Sequence, residues 1–249
     1  MNQVNQGGKA RPVGDLSHRV VRDLGLLQPA PTGWKIRNFL RYRRREVPQG
    51  VAYALLGNLS GIAVVRPTLT GMVYRRPEGL PIDINRRVSE LLRENVSVRE
   101  LARHFGGSVT DYGVMSRRLV TDTGVAFLVD ALQNLTEPEN FKFHAFGTGT
   151  TAEAASQTAL VTELTTQYNP DNTRPTGSQT ESAANVYRTV GTLSPDTGGT
   201  IAVTEHGLMS QAGTGGGTMF DRSVFTAVNL VAGADSLQTT YDLTIASGG

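Results

Sequence analysis

The sequence predicts a mainly β protein with α elements: a C-terminal antiparallel β-sandwich preceded by an extended basic arm and short helices. Three observations lead there. Beyond residue 118, apolar and polar residues alternate with period two over several short runs, as in Leu237–Ile245, where Leu237, Tyr241, Leu243 and Ile245 fall on one face and Gln238, Thr240, Asp242 and Thr244 on the other. Those runs are separated by Gly clusters at Gly147/Gly149, Gly198-Gly199, Gly213 and Gly215–Gly217, and residues 121–249 hold 24 Thr, a residue that suits strands. Charge divides at the same place: residues 1–120 carry 20 Lys and Arg against 9 Asp and Glu, residues 121–249 carry 4 against 13, so a basic half is joined to an acidic half.

Three regions follow. Residues 1–50, with Pro12, Pro29, Pro31 and Pro48, read as an extended arm. Its cations Lys35, Arg37, Arg41, Arg43, Arg44 and Arg45 interleave with Trp34, Phe39 and Tyr42, the composition of a partner-binding segment. An acidic protein surface is the favoured target, with phosphates the alternative. Residues 51–117 read as a small α-containing anchoring region. Prolines 67, 77 and 81 keep its first elements short, and Val88, Leu91, Leu92, Val98, Leu101, Ala102 and Phe105 mark two helical pieces broken near Asn95-Val96-Ser97. Ser97 with Glu100 predicts a capping box on the second piece.

Residues 118–249 form the Gly/Thr-rich sandwich domain. Between Thr123 and Asn134, Val125, Leu128, Val129 and Leu132 recur at helical spacing after a possible cap at Asp122 or Thr123, so a helix is expected with that stripe on the core. Strands are expected at 141–146, 185–193, 200–205, 218–228 and 237–245, each bounded by Gly, Pro, Asn or Asp.

Several function classes are disfavoured. No cysteine is present, which removes disulfides, thiolate metal sites and a Cys nucleophile. His18, His104, His144 and His206 lack metal-ligand spacing, so no metal is expected. Phe146–Thr151 carries Gly147 and Gly149 but no following Lys, and reads as a turn after a strand rather than a phosphate loop. Glu137 and Glu139 read as a solvated loop rather than an acid/base pair. Neither a signal peptide nor a membrane span is visible. Neither a catalytic residue nor a cofactor is expected.

Ser97–Ser108 followed by Tyr112–Leu119 resembles a bacterial helix-turn-helix. That resemblance implies a second helix presenting Ser116, Arg117 and Arg118 to the major groove, and a DNA-binding regulator as an alternative function. Gly113 inside that helix argues against it.

A wider resemblance covers residues 118–249. Arg118–Gly124, Phe146–Ala152, Thr158–Leu164, Val203–Leu208, Met219–Phe225 and Asp235–Tyr241, in that order, resemble a recurrent module of tailed-bacteriophage virion proteins found in capsid-associated and tail or fibre proteins. The resemblance implies a non-enzymatic structural role in the virion, with assembly in the host cytoplasm. The leading expectation is a capsid decoration or cement protein anchored by its basic N-terminal region, with a tail, fibre or baseplate component as the alternative. Its partners would then be other virion proteins, the major capsid protein first, and further copies of itself. No membrane and no specific nucleic acid is expected among them.

Overall fold

The structure, a computed structural model, describes residues 64–117 and 120–246. The arm, and with it Trp34, Lys35, Arg37, Phe39, Arg41, Tyr42, Arg43, Arg44 and Arg45, lies outside the described residues. Residues 65–246 form one compact unit.

In chain order the elements are β1 (Val64–Arg75), α1 (Ile82–Arg93), α2 (Val98–Phe105), β2 (Ser108–Ser116), α3 (Asp122–Leu132), β3 (Phe143–Gly147), β4 (Ser178–Ala183), β5 (Val186–Leu193), β6 (Thr200–Met209), β7 (Met219–Val231) and β8 (Asp235–Ala246). A single 3-10 turn, Pro138–Asn140, precedes β3. The strands form two antiparallel sheets, β2-β1-β8-β5-β4 and β3-β6-β7. The mainly β class and the five expected strands are therefore present, within a few residues at each end.

Between the sheets lie two adjoining apolar clusters. One gathers Val73, Phe146, Leu193, Val203, Val228 and Leu237; the other Leu69, Phe127, Phe141, Leu208, Phe220 and Tyr241. The alternation of β8 explains its part: Leu237, Tyr241 and Leu243 all enter these clusters. Helices α1 and α2 build a third cluster, in which Val88, Leu92, Val98 and Leu101 pack with Tyr74 and Met72 of β1. Strand β1 is thus covered on both faces, Val73 by the opposite sheet and Tyr74 by the helices.

Four expectations are corrected. The boundary drawn between residues 117 and 118 runs through a sheet, because β1 stands between β2 and β8. The supposed recognition helix is a strand: Tyr112–Ser116 belong to β2, paired with β1, and Gly113 takes φ 61° while its N–H donates to Asp111 Oδ1 at 2.8 Å. That left-handed residue is foreign to a helix interior. Arg118 lies outside the described residues, and Ser116 is buried. At the start of α2, Ser97 occupies the cap position but its side chain makes no capping bond. Gln238 of β8 serves instead, accepting from Val98 N–H at 3.2 Å and donating to the Val96 carbonyl at 3.0 Å, so the helix is fastened directly to the sheet.

The fourth correction concerns α3. Its cap is Thr121, whose Oγ1 accepts from Gly124 N–H at 3.0 Å. The helix is rotated from the expected orientation: Gly124 and Phe127 are buried, with Leu128 and Ala131 against the core, while Val125, Val129 and Leu132 face outward. Close approach sets this orientation. A side chain at Gly124 would strike the Phe220 carbonyl, so only glycine lets the helix rest on β7 there. Thr121 and Thr123 hydroxyls both donate to the Met219 carbonyl, at 2.6 and 2.9 Å, and Phe127 packs edge-on against Phe141, which does the same against Phe220.

Candidate functional site

A fully buried ion pair, Glu205 with Arg222, forms the centre of a knot on the outer side of the three-stranded sheet. It is assembled from the motifs that stood out in the sequence. A register shift between Val203 and Glu205 in the β6–β7 ladder accompanies the placement of Glu205, which is fully buried. Its carboxylate accepts from three backbone N–H groups, Gly149 at 3.0 Å, Val161 at 3.1 Å and Thr162 at 2.7 Å, and from Arg222 Nε at 2.8 Å. Arg222 Nη2 lies 2.7 Å from Oε2 in ion-pair contact but too bent for a good hydrogen bond. Nη1 of the same guanidinium reaches the Thr151 carbonyl and Gln157 Oε1. Gly147 and Gly149 allow the loop to close over the carboxylate, since a Cβ at either would collide with Glu205.

A second buried ion pair fastens the Gly-rich loop after β6. Arg174 grips Glu163 through Nε and Nη2, and its Nη1 donates to the carbonyls of Gln211 and Gly216, both at 2.9 Å. Arg188 pairs with Asp242 at 2.7 Å. All three arginines of the acidic half therefore have an internal carboxylate partner.

A polar layer also crosses the space between the sheets. His144 and His206, 62 positions apart in the chain, meet at 3.0 Å (Nδ1 to Nε2) because β3 and β6 are neighbours. His144 Nδ1 also lies 3.1 Å from Thr239 Oγ1, and Nε2 lies 3.0 Å from Thr189 Oγ1. Thr239 commits its hydroxyl hydrogen to the Gly191 carbonyl, so it accepts from His144 Nδ1–H, and Nε2 accepts from Thr189. The imidazoles are held neutral. Burial lowers His144 to about 3, and burial together with His144 holds His206 well below its ordinary value. Nearby, burial and then Glu153 push the Asp221 carboxyl up to about 8, opposed by Ser223 and the Leu208 backbone. Burial, with Asp221 and Tyr187, raises the Tyr241 hydroxyl. Asp221 is thus a neutral acid at neutral pH, as an enclosed carboxyl without a cation beside it must be.

Neither assembly offers chemistry to a substrate. Glu205, Arg222, His144, His206 and Asp221 are each no more than 1% exposed, and the two ions of the knot are already compensated. Their work is to hold loops and sheets in place. The other titratable groups considered from the sequence are dispersed: Glu137 and Glu139 are exposed beside the 3-10 turn, and His104 is exposed on α2, 3.9 Å from Glu100. Among the described residues, no group of three or more His, Asp or Glu is placed to hold a metal ion, and no helix is long and apolar enough to cross a membrane.

The surface feature that the sequence reading missed is the outward face of α3. Val125, Val129 and Leu132 are 52%, 50% and 89% exposed, and Leu135, just past the helix, is 71% exposed. Helical spacing identified these residues as a stripe, but the Gly124 contact, which decides which stripe turns inward, cannot be read from periodicity. No protein-family model, curated protein or solved structure matches the chain.

Proposed function

We propose that this chain is a non-enzymatic structural component of a tailed-bacteriophage particle, acting as a capsid decoration or cement protein. It assembles in the host cytoplasm, and its basic N-terminal region attaches it to acidic protein surfaces of the particle, those of the major capsid protein first. One observation carries the reading: among the described residues, every motif that resembles the virion module contributes contacts to the scaffold. Thr121 and Gly124 seat α3, Gly147 to Thr151 close over Glu205, Thr162 and Glu163 bind the two ion pairs, and Arg222 and Asp235 each hold a partner from another part of the chain. A module whose distinctive residues hold it together, while an acidic rim and an apolar helix face remain outside, is suited to making contacts. Many copies on a symmetric shell turn weak contacts into firm attachment.

The test is the number of copies in purified particles, measured by quantitative mass spectrometry against the major capsid protein. Copies on the scale of the capsid lattice support decoration. A few to a few dozen would move the protein to the tail, fibre or baseplate, and absence from the particle would overturn the proposal.

A further inference from the structure

The outward face of α3 carries an exposed apolar stripe. Val125, Val129 and Leu132 stand on successive turns, and Asn134, with φ 58°, folds the chain back so that Leu135 follows them at the end of the helix. The Leu135 N–H reaches the Asp130 carbonyl at 2.9 Å and the Asn134 N–H reaches that of Ala131 at 3.1 Å, the cap that returns an apolar residue to the last turn. Four large apolar side chains grouped in this way exceed the isolated ones that ordinary surfaces carry. Along the helix and the turn that follows it, the charged residues are acidic. From residue 119 to 141 the sequence holds Asp122, Asp130, Glu137 and Glu139 and not one Lys or Arg, and all four acids are exposed. Among the described residues no ion pair joins them to a cation: the arginines of this half are engaged with Glu163, Asp242 and Glu205, and Lys142 stands over the Phe143 ring.

A second α3 face laid against the first would crowd carboxylate on carboxylate, so a symmetric pairing is disfavoured. The complementary occupant is apolar and basic. This chain carries such a segment: from residue 34 to 45, three aromatics stand among six cations with no acid.

We propose that the α3 face of one copy receives the Trp34–Arg45 segment of a second copy, in a head-to-tail contact. The aromatics supply rigid apolar area to cover Val125, Val129 and Leu132, and the arginines pair with the surrounding carboxylates. Because each copy offers the segment at one place and the face at another, the contact is heterologous and propagates into a ring or lattice. It rests on the virion reading for the supply of many copies side by side, and it assigns the Trp34–Arg45 segment to contacts between copies, leaving the other cations of the basic N-terminal region, such as Lys9, Arg11, Arg19 and Arg22, to the capsid surface.

The experiment is sedimentation velocity on the full-length protein across about 1–100 µM, at low salt and at about 0.5 M salt. Wild type is expected to associate with rising concentration, less so at high salt. Two variants separate the surfaces: Arg41→Ser with Arg43→Ser, Arg44→Ser and Arg45→Ser on the segment, and Val125→Ser with Leu132→Ser on the face. Each alone should weaken association at least tenfold. Mixed together they should form pairs that stop at two, since one intact segment meets one intact face. Should the second variant melt abnormally, Asp130→Lys with Glu137→Lys carries the same test without touching the apolar residues. A wild type that stays monomeric throughout, a face variant that associates like wild type, or a mixture that forms no pairs would overturn the proposal. Cross-links between segment and face within a single monomer would do so as well. No particle is present in this assay, so its failure leaves the virion reading standing, and absence from particles leaves this contact standing.

Discussion

Stability should peak near pH 6.5 and fall on both sides, because the polar layer between the sheets refuses protons at two sites and retains one at a third. Asp221 has a folded value of about 8 against 3.8 for the free side chain, so the folded state binds a proton that the unfolded state lacks throughout that interval. Its contribution is present at low pH and is lost as pH rises through 8, at about 1.4 kcal/mol per pH unit. Between pH 6.5 and 8 this amounts to about 2 kcal/mol. His144 and His206 act with the opposite sign. Their folded values lie below the ordinary 6.5, so as pH falls below 6.5 the unfolded chain gains two protons that the folded protein declines. Asp221 offsets one of the two, leaving a net loss of stability as pH falls below 6.5. The measurement is urea unfolding from pH 4.5 to 8.5 followed by far-ultraviolet circular dichroism, which is preferable to tryptophan fluorescence because Trp34 is the only tryptophan and lies in the arm. Asp221→Asn should flatten the limb above pH 6.5 and leave the acid limb in place. A wild-type stability that climbs from pH 6.5 to 8, or an alkaline limb unchanged by Asp221→Asn, would refute the assignment of a neutral carboxyl.

Glu205→Gln should cost about 3–5 kcal/mol by leaving the Arg222 guanidinium buried without its counter-ion; a chemical-denaturation midpoint equal to wild type would refute the knot's structural role. Gly124→Ala should destabilise by about 1–3 kcal/mol as the new methyl meets the Phe220 carbonyl, whereas Val125→Ser next to it should change stability by less than about 1 kcal/mol, and the reverse order in thermal melts would restore the orientation expected from periodicity. A fragment beginning at residue 117 should fail to give a cooperative melt, since losing Leu69 and Val73 from the inter-sheet clusters removes about 3–6 kcal/mol before the exposed edge of β8 is considered, and a cooperative β-rich transition would show that β1 is dispensable.

The strands of the second half were legible by two signals: β7 and β8 alternate over part of their length, with Val228 and Leu230 buried between exposed neighbours and Tyr241 and Leu243 between wetter ones, whereas β3 and most of β6 are buried on both faces and were marked by the Gly, Asn and Asp residues that bound them. Strands β1 and β2 were not. β1 is covered on both sides, by the opposite sheet at Val73 and by the helices at Tyr74, so its apolar residues show no simple alternation. β2 is an edge strand exposed over most of its length, and its left-handed Gly113 interrupts any pattern. Edge strand β4, with five of its six residues exposed, gave no hydrophobic signal at all. The knot was half visible: the Gly147/Gly149 pair, Glu205 and Arg222 were each noticed as motif residues, but the pairing of Glu205 with Arg222 follows from the β6–β7 ladder, and its three backbone bonds come from loops whose course no local pattern specifies. The histidine pair was hidden for the same reason, its members being neighbours only across adjacent strands.

The most direct test of the proposed structural role in a phage particle is an electron cryo-microscopy reconstruction of tailed-phage particles purified from cells that produce this chain. The account predicts two-sheet density of the dimensions of residues 64–246 repeated across the capsid lattice, with the α3 face of each copy covered by protein. A particle complete in every density and holding no such sandwich in head or tail would contradict it.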